Sequence, residues 1–90
     1  MSERKFSPGS IVFTRGVADL NLPVEQLLLL LSRHLVGDWG DVCDEDAFAN
    51  DTAVTNGFRI LSSYKVDGVK IWIITESDRS VTTFLLPEEY

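Results

Sequence analysis

The chain has 90 residues, of which 44% are hydrophobic and 24% charged. This length fits one small globular domain spanning residues 1–90, and the composition excludes a low-complexity polymer. Fourteen acidic residues against eight Lys and Arg give a formal net charge of -6, which disfavours direct binding of nucleic acid or of an anionic membrane surface. A single cysteine excludes an intrachain disulfide, and no apolar run is long enough to cross a bilayer, so we expect a cytoplasmic protein with no membrane segment.

The first predicted elements are a short strand and an apolar helix. The β-branched and aromatic run Ile11–Thr14 predicts an edge strand that ends before Gly16. Asn21 is a good N-cap for a helix that continues to Leu35 and stops at Gly37. The five consecutive leucines at 27–31 cover more than one side of this helix. Either the sheet and a second helix cover them, or a second subunit does, and we expect uncovered leucines to form a patch for homodimerisation.

A glycine-bracketed turn and a second helix follow. Gly37 and Gly40 flank an aspartate and a tryptophan, and glycine is favoured where the backbone takes a positive φ or approaches another group closely. Asp44 predicts an N-cap, and Asn56-Gly57 predicts the end of the helix.

From residue 58 the pattern changes to the alternation typical of strands. Asp67-Gly68 is a strong signal for a two-residue hairpin turn between strands 58–66 and 69–75, and a third strand at 80–86 follows a polar turn. The sequence therefore predicts an α+β fold of order β-α-α-β-β-β, with two helices on one face of a mainly antiparallel four-stranded sheet.

Three residues could support catalysis without a metal. His34 is the only histidine and the natural group for proton transfer near neutral pH. Arg79 could bind phosphate through its guanidinium, and Thr82 could orient the scissile group. His34 lies near the C-terminal end of its helix, where Asp38 could pair with it. The alternative for His34 is a structural residue that satisfies carbonyls at the helix end. The alternative for Arg79 and the threonines is a solvated hairpin turn.

Between Arg33 and Arg59 the sequence contains no Lys or Arg and six acidic residues: Asp38, Asp41, Asp44, Glu45, Asp46 and Asp51. Such a cluster could hold a hard cation, but the spacing is not that of a calcium loop, so we predict no metal site and no cofactor. A solvated helix N-terminus is the alternative explanation of these charges. A third interpretation is an acidic surface that binds a basic protein partner. Its residues are Asp38, Trp39, Asp41, Asp44 and Asp46, where Trp39 is either an aromatic anchor or a core residue.

Several stretches carry a family resemblance: Arg33-His34, Gly37-Asp38-Trp39-Gly40, the isolated Asn50, and the C-terminal stretch from Ile71 through Thr-Glu-Ser-Asp-Arg-Ser-Val-Thr-Thr to Leu-Leu-Pro-Glu-Glu-Tyr. With these, the chain resembles a family of short bacterial proteins of phages, plasmids and genomic islands. The resemblance covers roughly residues 11–90 and implies a small accessory protein of a mobile element. Separately, the predicted element order is similar to that of RelE/ParE-like toxins, some of which cleave RNA.

Two functional hypotheses follow. The first is an acidic accessory protein that binds a basic protein partner and antagonises a host defence or nucleic-acid-handling complex. The alternative is a metal-independent RelE/barnase-like endoribonuclease that uses His34, Arg79 and Thr82. The acidic charge favours the first, because those toxins are usually basic.

Overall fold

The computed structural model describes residues 3–90. Its elements are β1 (Ser10–Phe13), α1 (Arg15–Asp19), α2 (Val24–Leu35), α3 (Asp44–Asn56), β2 (Ile60–Val66), β3 (Val69–Thr75) and β4 (Val81–Leu85), followed by a 3₁₀ turn (Pro87–Glu89). This confirms the predicted α+β class and the β-α-α-β-β-β order, to which the structure adds the five-residue helix α1. Among the described residues, no helix has the length and apolarity needed to span a membrane.

One four-stranded sheet organises the chain in the order β1-β4-β3-β2. The strands β2, β3 and β4 are sequential antiparallel neighbours, and β1 lies at the edge in a parallel pair with β4. At the β2–β3 hairpin, Asp67 and Gly68 have φ of 51° and 80°, the left-handed backbone that a tight two-residue hairpin turn requires. The predicted hairpin, strand order and edge position are confirmed.

The main core lies between α2 and one face of the sheet, which we call the inner face. It contains Leu30, Tyr64, Ile71, Ile73 and Phe84, each at most 2% exposed. A second cluster of Trp39, Ala53 and Ile60 lies where α3 meets the sheet. Burying these side chains contributes the main stabilisation of a chain this short.

The leucine run of α2 divides between core and solvent. Leu30 is 2% exposed, and Leu27 and Leu31 pack against the same core, as a sheet-facing helix stripe requires. Leu28 and Leu29 are both 56% exposed. The run is therefore mostly covered, and its two uncovered leucines are neighbours.

Two local predictions were wrong, both of them N-caps. The N-cap of α2 is Pro23, while Asn21 has a φ of 52° in the turn after α1. The N-cap of α3 is Cys43, so Asp44 is its first helical residue. Strand β1 ends before Gly16, as predicted, and Gly16 itself lies inside α1, whose first amides donate to the Thr14 side chain and the Glu89 carboxylate.

Candidate functional site

The sole histidine lies in the core. Helix α2 directs His34 toward the inner face of the sheet, where it is 0% exposed. Its Nδ1 lies 2.5 Å from Ser62 Oγ on β2, and its Nε2 lies 2.9 Å from Thr75 Oγ1 on β3. The rings of Phe6 and Trp39 contact the imidazole edge-on, with centroid distances of 5.2 and 6.0 Å.

A chain of hydroxyl groups continues from the imidazole to the N-terminal segment. Thr75 Oγ1 lies 2.7 Å from Thr82 Oγ1, which in turn donates to the carbonyl of Pro8 at 2.7 Å. Because a carbonyl only accepts, the single proton of Thr82 points to Pro8, and Thr75 must donate to Thr82. Thr75 therefore accepts from Nε2–H of His34.

This direction of donation fixes the tautomer of a neutral His34, with the proton on Nε2. With Nε2–H donating, Nδ1 of a neutral His34 accepts from the hydroxyl of Ser62. Burial, and secondarily the nearby charge of Arg79, lower the pKa of His34 to about 3. The imidazole is therefore neutral at physiological pH, with both nitrogens engaged.

The Arg79 guanidinium is engaged with backbone carbonyls. It donates to Phe58 at 2.6 Å, to Ala53 at 2.8 Å and to Glu76 at 3.2 Å, and it lies 5.4 Å from the centre of the Phe6 ring. These contacts tie the last turn of α3 to the β3–β4 turn. A cation at the C-terminal end of a helix is favourable because unsatisfied carbonyls carry partial negative charge.

The structure brings the three predicted catalytic residues into one region, but their polar atoms bind other parts of the protein. Thr82 reaches His34 through Thr75, and both Arg79 and His34 contact Phe6. Two surface grooves lie elsewhere. One is lined by Arg4, Leu28, Leu31, Ser32, Leu35 and Val36, and the other by Asp46, Ala49, Asn50, Arg59, Leu61 and Tyr90. In this arrangement His34, Arg79 and Thr82 connect the N-terminal segment and two helices to the sheet.

The predicted acidic residues, by contrast, face solvent. Asp41, Asp44 and Asp46 are all exposed. Asp38 is also exposed and forms a two-point ion pair with Arg33, with distances of 2.7 and 3.3 Å. The hydrogen bond from Arg33 holds the pKa of Asp38 below its usual range. The expected pairing of Asp38 with His34 is wrong, because the imidazole is directed into the core while Arg33 is close to the carboxylate.

Trp39 is a core residue, the second of its two predicted roles. It is 6% exposed, it stacks on Phe6, and its Nε1–H donates to the carboxylate of Asp51 at 3.0 Å. On either side of Gly40 the backbone pairs with β2, since Ser63 N–H donates to the carbonyl of Trp39 and Asp41 N–H donates to the carbonyl of Ser63. Gly40 lies at this contact with φ of 75°, where a Cβ would collide with the Ser63 carbonyl, which explains the predicted need for glycine.

The exposed aromatic residue of this region is Phe48, on α3. It is 73% exposed. Helical spacing places Asp44, Glu45 and Asp51 three or four positions from it, on the same side of the helix. In the sequence, the signal that could have indicated the exposure of Phe48 was the weak apolar periodicity of α3. The buried residues of this helix are Asn50 and Ala53.

Within residues 3–90, no group of three or more His, Cys, Asp and Glu side chains is placed to hold a metal ion. Searches against models of known protein families, curated proteins and solved structures give no match. The chemistry of the exposed residues therefore carries the functional argument.

Proposed function

We propose that this protein binds a basic protein partner through an acidic surface formed by Asp38, Asp41, Asp44, Asp46 and the solvent-facing side of α3. The observation that carries the proposal is the exposure of Phe48 among carboxylates. A large aromatic side chain at 73% exposure is the residue type that dominates interface energetics once a partner covers it.

The surface is held in place before any partner arrives. Trp39 is buried, Gly40 pairs with Ser63 of β2, and the hydroxyl of Tyr64 donates to the carbonyl of Asp38 at 2.6 Å. A segment anchored in this way loses little conformational freedom on binding.

Charge supports a basic partner. The chain carries a net charge of -6, and residues 34–58 contain no Lys or Arg. A field of one sign accelerates the encounter with an oppositely charged protein and repels acidic ones. Together with the family resemblance, this leads us to propose an accessory protein of a mobile element that antagonises a host defence or nucleic-acid-handling complex.

The endoribonuclease alternative has less support. It needs His34 and Arg79 to face a substrate in an open, positive cleft. The imidazole is fully buried, and the guanidinium donates to three carbonyls.

The test is an affinity capture with matched variants. Immobilised protein is exposed to bacterial lysate, and recovered proteins are quantified for wild type, Phe48→Ala and the combined Asp41→Asn, Asp44→Asn and Asp46→Asn variant. We expect basic proteins to be enriched on wild type and reduced at least tenfold on both variants, because an anchoring aromatic contributes about 2 kcal/mol. Asparagine is used because lysine would also oppose the dipole of α3.

The control for Phe48 is Phe58→Ala, which removes another aromatic ring at 57% exposure. The control for charge is a combined Asp19→Asn, Glu25→Gln and Glu88→Gln variant, which removes the same charge elsewhere. Equal recovery on all variants would contradict the proposal. In a parallel assay we expect RNA to stay intact with purified protein, and cleavage that disappears with His34→Ala would instead support the nuclease.

A further inference from the structure

The two edge strands of the sheet differ in the hydrogen bonding of their outward-facing backbone groups. At the β2 edge, the Asn50 side chain donates to the carbonyl of Leu61 and accepts from its amide, at 2.7 and 3.1 Å, and the Trp39–Asp41 backbone pairs with Ser63. Other segments of the chain thus bind the outward backbone groups of Leu61 and Ser63 at this edge. At the opposite edge, all four residues of β1 are exposed.

The register of β1 determines which of its backbone groups are free. Ser10 N–H donates to Ser80 and Thr14 N–H donates to Phe84, so every second residue of this segment points its backbone toward β4. The backbone groups of Ile11 and Phe13 therefore point away from the sheet. In the described part of the chain, no turn, loop or cap hydrogen bond reaches either residue.

The side chains of this edge are apolar. Ile11, Val12 and Phe13 are 38%, 44% and 43% exposed. Edge strands are normally protected by lysine, proline or a bulge, and Ser10–Phe13 contains neither charge nor proline. An unprotected apolar edge of this kind is suited to pairing with another strand.

We propose that β1 is the interface of a homodimer, in which two copies pair their β1 strands antiparallel about a two-fold axis through Val12. In this register Ile11 of one copy lies opposite Phe13 of the second, and the two residues exchange both backbone hydrogen bonds. The reciprocal pair does the same, which makes four hydrogen bonds and satisfies all the free groups of both edges. Val12 faces Val12 of the second copy at the non-hydrogen-bonded position, where side chains are closest.

Charge placement favours a second copy as the occupant. Two chains with a charge of -6 repel each other, so association requires that their acidic surfaces stay apart. The acidic surface lies beside β2, at the opposite edge of the sheet from β1. The β1 edge is uncharged and self-complementary, as a two-fold interface must be. A strand pair this short buries less than the roughly 1,200 Å² of standard interfaces, so we expect dissociation in the micromolar range.

Sedimentation equilibrium of the full chain across about 1 to 500 µM tests the proposal. We expect a reversible monomer–dimer equilibrium for wild type. Val12→Lys places two ammonium groups at the axis and should weaken dimerisation at least tenfold. The matched control is Leu28→Lys on α2, which changes a leucine of comparable exposure and should leave the equilibrium unchanged. Circular dichroism verifies that both variants are folded.

Disulfide trapping tests the register without relying on a disruptive substitution. In a Cys43→Ser background, Val12→Cys places two thiols on opposing residues about 4.5 Å apart at Cα, within the range for a disulfide. Ile11→Cys places the two thiols roughly 8 Å apart, beyond that range. We expect mild oxidation to cross-link the Val12 variant at least tenfold faster than the Ile11 variant.

A monomer throughout the concentration range would overturn the proposal. So would equal cross-linking at both positions, or a dimer weakened by Leu28→Lys and not by Val12→Lys, which would identify the exposed leucines of α2 as the interface. Binding of the basic partner through the acidic surface is a separate measurement, and its failure leaves the dimer proposal unaffected.

Discussion

The buried neutral histidine makes stability depend on pH between about pH 5 and 6.5, a range that contains the ordinary pKa of no other side chain of this protein. The pKa of His34 is about 3 in the folded protein and about 6.5 in the unfolded chain. Between these values the unfolded chain binds one more proton than the folded protein. Stability therefore rises with pH through this window and falls on acidification, by about 1.4 kcal/mol per pH unit below 6.5.

The expected loss can be worked out for a practical range. From about pH 7.5 to about pH 5, protonation of His34 in the unfolded chain alone lowers the free energy of unfolding by about 2 kcal/mol. Hydrogen bonds hold the pKa of Asp38, Asp78 and Glu89 below their usual ranges. Their contributions are lost only as the pH falls below about 4.5, so they add little within this range.

Urea denaturation followed by far-ultraviolet circular dichroism at several pH values measures the effect. Fluorescence is less suitable, because Trp39 contacts the imidazole. We expect wild type to lose about 2 kcal/mol across the range and His34→Gln, although less stable overall, to lose under 0.5 kcal/mol. Because the chain has one histidine, its imidazole NMR signals can be followed directly in the folded protein.

Two results would refute the reasoning. One is a folded-state titration of His34 near its ordinary pKa of 6.5. The other is a pH dependence in His34→Gln equal to that of wild type. Either would mean that burial does not hold the pKa of His34 below its ordinary value.

Three further predictions concern stability. Arg79→Ala removes hydrogen bonds to three carbonyls, so we expect the free energy of unfolding, measured in urea, to fall by about 2 to 3 kcal/mol. Arg79→Lys should recover less than half of this loss, and a loss under about 0.5 kcal/mol for Arg79→Ala would contradict the prediction. Asn50→Ala leaves the backbone of Leu61 unpaired, so we expect the free energy of unfolding to fall by about 2 kcal/mol and the Leu61 amide to exchange faster. Asn50→Asp lacks the side-chain donor and should not restore wild-type stability. Hydrogen bonds, the largest from the Thr14 side chain, lower the pKa of Glu89. Glu89 therefore contributes to stability above its usual pKa, and this contribution is lost as the pH falls. Glu89→Gln should make the loss of stability on acidification less steep, and an unchanged pH dependence would contradict this contribution.

Local signals in the sequence were sufficient for much of the fold. Strand alternation and the Asp67-Gly68 turn predicted the antiparallel hairpin, because side-chain period and turn conformation depend on neighbouring residues. Gly57 likewise ends α3 in the left-handed conformation that follows a helix. These elements lie close to their predicted bounds because their causes lie within a few residues.

The side-chain environments were decided by contacts between residues far apart in the chain. His34 is buried because Ser62 and Thr75, 28 and 41 positions away, satisfy its two nitrogens. Helix α1 begins where it does because Glu89 lies beside it, 73 positions from Gly16. The sequence by itself determined the order and type of the elements, since hydrophobic period and turn chemistry are local. Only the tertiary structure decided which polar residues form buried hydrogen bonds and which face solvent, as the carboxylates around Phe48 do. This depends on hydrogen-bond partners that are distant in the sequence and that no local pattern identifies.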